Sequence, residues 1–131
     1  MNDKPVILVV DDDPRIADAL IHLLRSSGFR AIAAGDALEA VALARASKPE
    51  AILMDVMLPG MEGSVAAALL KDSESLKDTP IILASALPEE ELQLRAVEVG
   101  AAGYVCKPFR RIEILRALHD ALMQCKFGQA G

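Results

Sequence analysis

Five short apolar runs punctuate the chain: VILVV at 6–10, RAIAA at 30–34, AILM at 51–54, IILA at 81–84 and GYVC at 103–106. Each is too short for a stable helix. Near-continuous apolar sequence at that length suits a strand buried on both faces. Between the runs, apolar positions recur with helical period. Ile16, Leu20, Leu23 and Leu24 fall on one helical face, and Gly28 follows as a natural stop. A second helix starts at Asp36 with Glu39 three residues on, a variant of the capping box, and Val41 and Leu43 continue its apolar side. SVAAALLK at 64–71 reads as a third helix, followed by the polar loop DSESLKDTP. A fourth follows Pro88 and carries Glu89, Glu90 and Glu91 in its first turn, where the helix dipole favours acids. A fifth runs from Arg111 to Met123, and residues 124–131 read as a frayed tail.

Strands alternating with helices in this way predict an α/β domain: one five-stranded parallel sheet, doubly wound and flanked by five helices. No repeat, low-complexity block or internal linker divides it, so residues 1–131 read as a single domain with its core at 6–123. The strand order 2-1-3-4-5 puts the first, third, fourth and fifth strands side by side and the second on an edge.

Composition narrows the function without choosing it. The hydrophobic fraction is 53%, with three Phe, one Tyr and no Trp, so aliphatic residues build the core. A net charge of −5 without a basic run argues against direct nucleic-acid binding and suits a domain that holds cations. No run is long enough to span a membrane, and the start, MNDKP, lacks the apolar core of a secretory signal. Cys106 and Cys125 are too few and too far apart for a zinc or CxxC site and read as packing residues. The expectation is a reduced, cytoplasmic protein.

The candidate chemistry sits where strands end. The first runs into Asp11 and Asp12, the third into Asp55, the fourth into Ser85 and the fifth into Lys107, whereas the second ends in Ala34 and Gly35. Ligands of open α/β sheets bind outside the carboxyl ends of strands, so these groups would share one rim. Taken singly they have ordinary readings: Asp13 before Pro14 as an N-cap, Ser85 as a turn residue, Lys107 as a surface lysine, Asp11 and Asp12 as strand-end solvation. Taken together, three carboxylates facing one ammonium are balanced by a divalent cation. Oxygen-only ligands on an open rim suit Mg²⁺. A neutralised carboxylate beside Mg²⁺, a lysine and a hydroxyl is equipped for phosphoryl transfer, with the carboxylate attacking.

VVDDDP, MDVMLPGMEG, the strand end ILASA and GYVCKPF resemble, in order and spacing, the receiver domain of two-component response regulators, over about residues 6–123. The resemblance implies a flavodoxin-like fold, like that of chemotaxis regulators, and a phosphorelay function in bacterial-type signalling. Asp55 would be the phosphoacceptor. Asp12, Asp55 and the main-chain carbonyl of Met57 would bind Mg²⁺, with Asp11 acting through water. Ser85 would fill a place often held by threonine, Lys107 would pair with a phosphoryl oxygen, and Tyr104 would be the switch aromatic. The Lys107–Pro108 bond would be cis. The implied partners are a histidine kinase or phosphotransfer protein and a downstream target or output domain, with no nucleic acid or membrane contacted directly. The domain would act as a phosphoprotein that catalyses only its own phosphoryl transfer and slow dephosphorylation, not as an enzyme.

Three other readings compete. An aspartate-dependent phosphatase wants a second acid two residues after the nucleophile, where this chain has Met57. A nucleotide- or flavin-binding domain wants a glycine- or hydroxyl-rich first loop, and DDDPR is neither. A degenerate receiver serving as a phosphorylation-independent binding module would have lost Asp55 or Lys107, and both are present. The sequence is compatible with a stand-alone receiver and with a receiver cut from a longer regulator.

Overall fold

A computed structural model describes residues 4–130 except 59, 60, 63–67, 69 and 73–75. In chain order the strands are β1 (Val6–Val10), β2 (Arg30–Ala34), β3 (Ala51–Met54), β4 (Met57–Leu58), β5 (Met61–Glu62), β6 (Ile81–Ser85) and β7 (Gly103–Cys106). The helices are α1 (Pro14–Ser26), α2 (Ala37–Ser47), α3 (Glu89–Val99) and α4 (Arg111–Ala130). Five strands form one parallel sheet in the order β2-β1-β3-β6-β7, the predicted 2-1-3-4-5 arrangement with the barren strand at an edge.

Each strand sends alternate residues to opposite faces, so the sheet has two cores. Ile7, Val9, Leu53, Ile82 and Val105 pack against Leu20 and Leu24 of α1 and Ile114 and Leu118 of α4. Leu8, Val10, Ile52, Met54, Ile81 and Leu83 pack on the other face with Ala40 and Ala44 of α2 and Leu92 and Ala96 of α3. Burial on both faces explains why the strands read as apolar runs.

Helix starts follow the predicted chemistry. The Asp13 carboxylate accepts from the Arg15 N–H at 3.0 Å, and Pro14 takes the first helical position, where its missing N–H costs nothing. Asp36 accepts from the Glu39 N–H at 2.8 Å, while the Glu39 carboxylate reaches back to the N–H of Gly35 at 3.1 Å. The reciprocal bond of this capping box is thus displaced by one residue. Gly28 lies just past α1 with φ +95°, a left-handed conformation that glycine adopts without penalty.

Two features depart from the sequence expectations, and one expected element falls mostly outside the described residues. The predicted helix at 64–71 lies mostly outside the described residues, and four helices are seen among those described. The antiparallel ladder of β4 and β5 was not anticipated. Helix α4 continues past Met123 to Ala130, where a frayed tail was expected. Residues 124–127 include no helix breaker, and the single Gly128 lowers helix propensity by only about 1 kcal/mol.

Candidate functional site

The carboxyl ends of the central strands form a rim, and hydrogen bonding beyond the strands fixes the backbone there. The Asp11 N–H donates to the Ala34 carbonyl at 3.1 Å, the Asp55 N–H to Val10 at 2.9 Å and the Lys107 N–H to Ser85 at 2.7 Å. Strand parity then assigns faces. Asp11, Asp55 and Lys107 continue the alternation of Val9, Leu53 and Val105 on the α1/α4 side. Ser85 and Tyr104 continue that of Leu83 on the α3 side.

That parity brings Lys107 to the acids. Its Nζ donates to Asp11 Oδ2 at 2.8 Å and to Asp55 Oδ2 at 3.0 Å. The second oxygen of each carboxylate is also used: Asp11 Oδ1 accepts from the Asp13 N–H and Asp55 Oδ1 from the Met57 N–H, both at 3.0 Å. These turns hold the two carboxylates in fixed orientations. Burial pulls the Lys107 pKa down, but the hydrogen bonds to Asp11 and Asp55 and their negative charge outweigh it, so the ammonium titrates above the usual lysine range.

Asp12 stands exposed beside this pair, and carboxylate oxygens of Asp11, Asp12 and Asp55 all lie within 4.8 Å of one another. Three acids converging on one point with a single ammonium form an all-oxygen donor set that matches a hard divalent cation. A cleft of about 330 Å³ opens beside it, lined by Asp55, Met57, Ser85, Leu87 and Lys107 among others. Ser85 is buried, and its hydroxyl oxygen accepts from the Leu87 N–H at 3.2 Å. The Lys107–Pro108 peptide is cis.

Tyr104 is half-buried on the α3 side, its hydroxyl 3.4 Å from Glu89 Oε1. Desolvation, then the Glu89 charge, raises its pKa. Cys106 packs partly against the same core, and burial, then Glu89 and Glu113, push its thiol up, as befits a packing residue. The side chain of Cys125 lies outside those described. Asp13 serves α1 and its pKa is lowered chiefly by the Arg15 backbone N–H.

The structure therefore brings Asp11, Asp12, Asp55, Met57, Ser85 and Lys107 to one rim. Sequence reasoning did not assign the Leu87 N–H, which holds the Ser85 hydroxyl, because a backbone donor leaves no residue-type signal.

A family model for the response regulator receiver domain matches residues 7–119. The phosphate regulon transcriptional regulatory protein PhoB of Pseudomonas aeruginosa is 37% identical over 116 residues, covering 88% of this chain and 51% of its own. The chain spans about half the length of several curated relatives that it matches. The crystal structure of chemotaxis protein CheY4 of Vibrio cholerae superposes with a TM-score of 0.85 at 29% identity, over 91% of this chain and 99% of that one. The receiver domain of sensor histidine kinase PA1611 from Pseudomonas aeruginosa superposes with a TM-score of 0.83 at 31% identity, over 91% and 98% of the two chains. That structure has a magnesium ion coordinated in its active-site cleft.

Proposed function

Because the chain belongs to the response regulator receiver domain family, we propose that it accepts a phosphoryl group on Asp55 from the phosphohistidine of a histidine kinase or phosphotransfer protein. The observation that carries this reading is the convergence of Asp11, Asp12 and Asp55 with Lys107 on one rim. An Asp55 carboxylate oxygen bonds to phosphorus as the phosphorus–nitrogen bond to the donor histidine breaks, and the imidazole leaves with the electron pair. Asp55 is held for this by the Met57 N–H on one oxygen and Lys107 on the other. No hydroxyl has to be deprotonated, since the nucleophile is a carboxylate oxygen rather than an alcohol.

Asp12, Asp55 and the Met57 carbonyl would hold Mg²⁺, with Asp11 acting through water, and the ion would supply charge neutralisation to the phosphoryl oxygens. The all-oxygen donor set supports this assignment, as does the magnesium in the PA1611 receiver. Lys107 pairs with one phosphoryl oxygen once the group is in place. Ser85 leaves the Leu87 N–H and bonds another. Tyr104 turns inward behind it, and the face formed by α3, β7 and α4 shifts toward a second arrangement. Phosphorylation adds roughly one further negative charge to Asp55, and that charge is the differential ligand that moves the equilibrium. A downstream protein or an output domain reads the new face, and the cycle runs in the cytoplasm. The domain turns over no separate substrate; it completes only its own phosphorylation and slow dephosphorylation.

Acetyl phosphate with Mg²⁺ tests the assignment. Mass spectrometry should find the wild type heavier by about 80 Da, the mass of one phosphoryl group, and Asp55→Asn unchanged. Equal labelling of both proteins would remove Asp55 from the role, and labelling of neither would favour a phosphorylation-independent binding module.

A further inference from the structure

Helix α3 is fastened differently at its two ends. At the carboxyl end, Lys71 Nζ donates to the carbonyls of Val99 and Gly100, both at 2.9 Å. These are terminal carbonyls of the kind that a helix leaves without an intrahelical partner, and the negative end of the helix dipole favours a cation there. Gly100 adds a second fastening. It caps the helix with φ +68°, and its N–H donates to Ala96 and Val97. A Cβ at Gly100 would lie 2.6 Å from Lys71 Nζ, so any other residue there would make the ammonium shift.

At the amino end Glu89, Glu90 and Glu91 lie in the first turn, and among the described residues no side chain caps it as Lys71 caps the other. Its cap position is Pro88, which makes no side-chain capping bond. Glu89 meets Tyr104 there across a long 3.4 Å contact. This end follows directly on Ser85 and Leu87, which line the Asp55 cleft. Along its length α3 buries only Leu92 and Ala96, while Leu94 and Val97 are largely exposed. The core therefore holds the helix at Leu92 and Ala96, with the half-buried Val99 packed against it at the carboxyl end.

We propose that Lys71 is a positioning residue that makes the carboxyl end of α3 a fixed hinge, so that events at Asp55 rock the amino end of the helix about it. The proposal rests on the phosphoacceptor reading above and specifies how the site is regulated. A displacement of Ser85 and Leu87 reaches the uncapped end first. The two bonds from Lys71 hold the far end, and the movement is delivered as a tilt that takes Glu89 away from Tyr104.

Residue-resolved amide hydrogen exchange on the full chain, with and without beryllofluoride and Mg²⁺ as a phosphoryl mimic, tests it. In the wild type, exchange at 86–92 should change and exchange at 96–102 should not. Lys71→Met keeps the aliphatic stem and removes the ammonium. Exchange of the Gly100 and Ala101 amides should then quicken about ten-fold, the loss of a charge-assisted bond. Beryllofluoride should now alter both segments. Labelling of this variant by acetyl phosphate should persist, since Lys71 does not line the cleft. Change at both ends of α3 in the wild type, or unaltered exchange at 96–102 in Lys71→Met, would overturn the hinge and leave the phosphoacceptor reading standing. No response anywhere in the wild type would overturn that reading, and the hinge with it.

Discussion

Between Asp11 and Asp55, the Lys107 ammonium makes two short ion pairs to side chains that are only 3% and 11% exposed. Removing one partner of a buried pair costs more than the pair itself is worth, because the remaining charge stays desolvated. Lys107→Met should therefore lower stability by about 3 kcal/mol in urea unfolding without metal, and Mg²⁺ should recover part of the loss. The pH dependence has a definite sign. The Lys107 pKa is higher in the folded state than in the unfolded state, so its contribution is complete below the ordinary lysine value and is lost as pH rises through the folded one. Unfolding midpoints of the wild type should thus fall more steeply in the alkaline range than those of Lys107→Met. That Lys107 would balance the acids was legible in the sequence, since charge counting asks for a counter-ion. That it would divide itself between Asp11 and Asp55 was not, because the choice depends on strand parity in three dimensions. Lys71 left no signal, since a lysine on a helix ordinarily reads as part of a solvated face.

At the scale of elements, what was legible depended on how many residues carried the signal. The five sheet strands stand out because burial on two faces makes them apolar throughout. The paired residues of β4 and β5 are too short to show any period. Helix starts were marked by Asp13-Pro14 and by Asp36 with Glu39, whereas the end of α4 was misplaced because no residue there stops a helix. Two substitutions in α3 should separate core from surface. Leu92 is fully buried, and Leu92→Ala should cost about 3 kcal/mol. Leu94 is 66% exposed, and Leu94→Ala should stay within about 0.5 kcal/mol of the wild type. For α2, Asp36→Ala removes the acceptor for the Glu39 N–H and should cost about 1 kcal/mol in the same unfolding assay.

For the whole molecule, Mg²⁺ should act as a folding ligand at the acidic rim. The acids that would bind it converge only in the native sheet, so metal at ten times its Kd should stabilise the domain by about 1.4 kcal/mol through mass action. Thermal unfolding should show a rise in Tm with Mg²⁺ that chelation reverses and that Asp12→Asn greatly reduces. The last parallel strand has a further consequence. Lys107 follows β7 and reaches an acid 96 positions earlier in the chain. A slip of one residue in β7 would turn the ammonium to the opposite face of the sheet. During synthesis, Asp11 and Asp55 emerge long before their counter-charge does. A truncated or mispaired intermediate carries two uncompensated acids, and only a sheet in correct register pairs them with Lys107, which makes charge balance at the rim a late certificate of assembly.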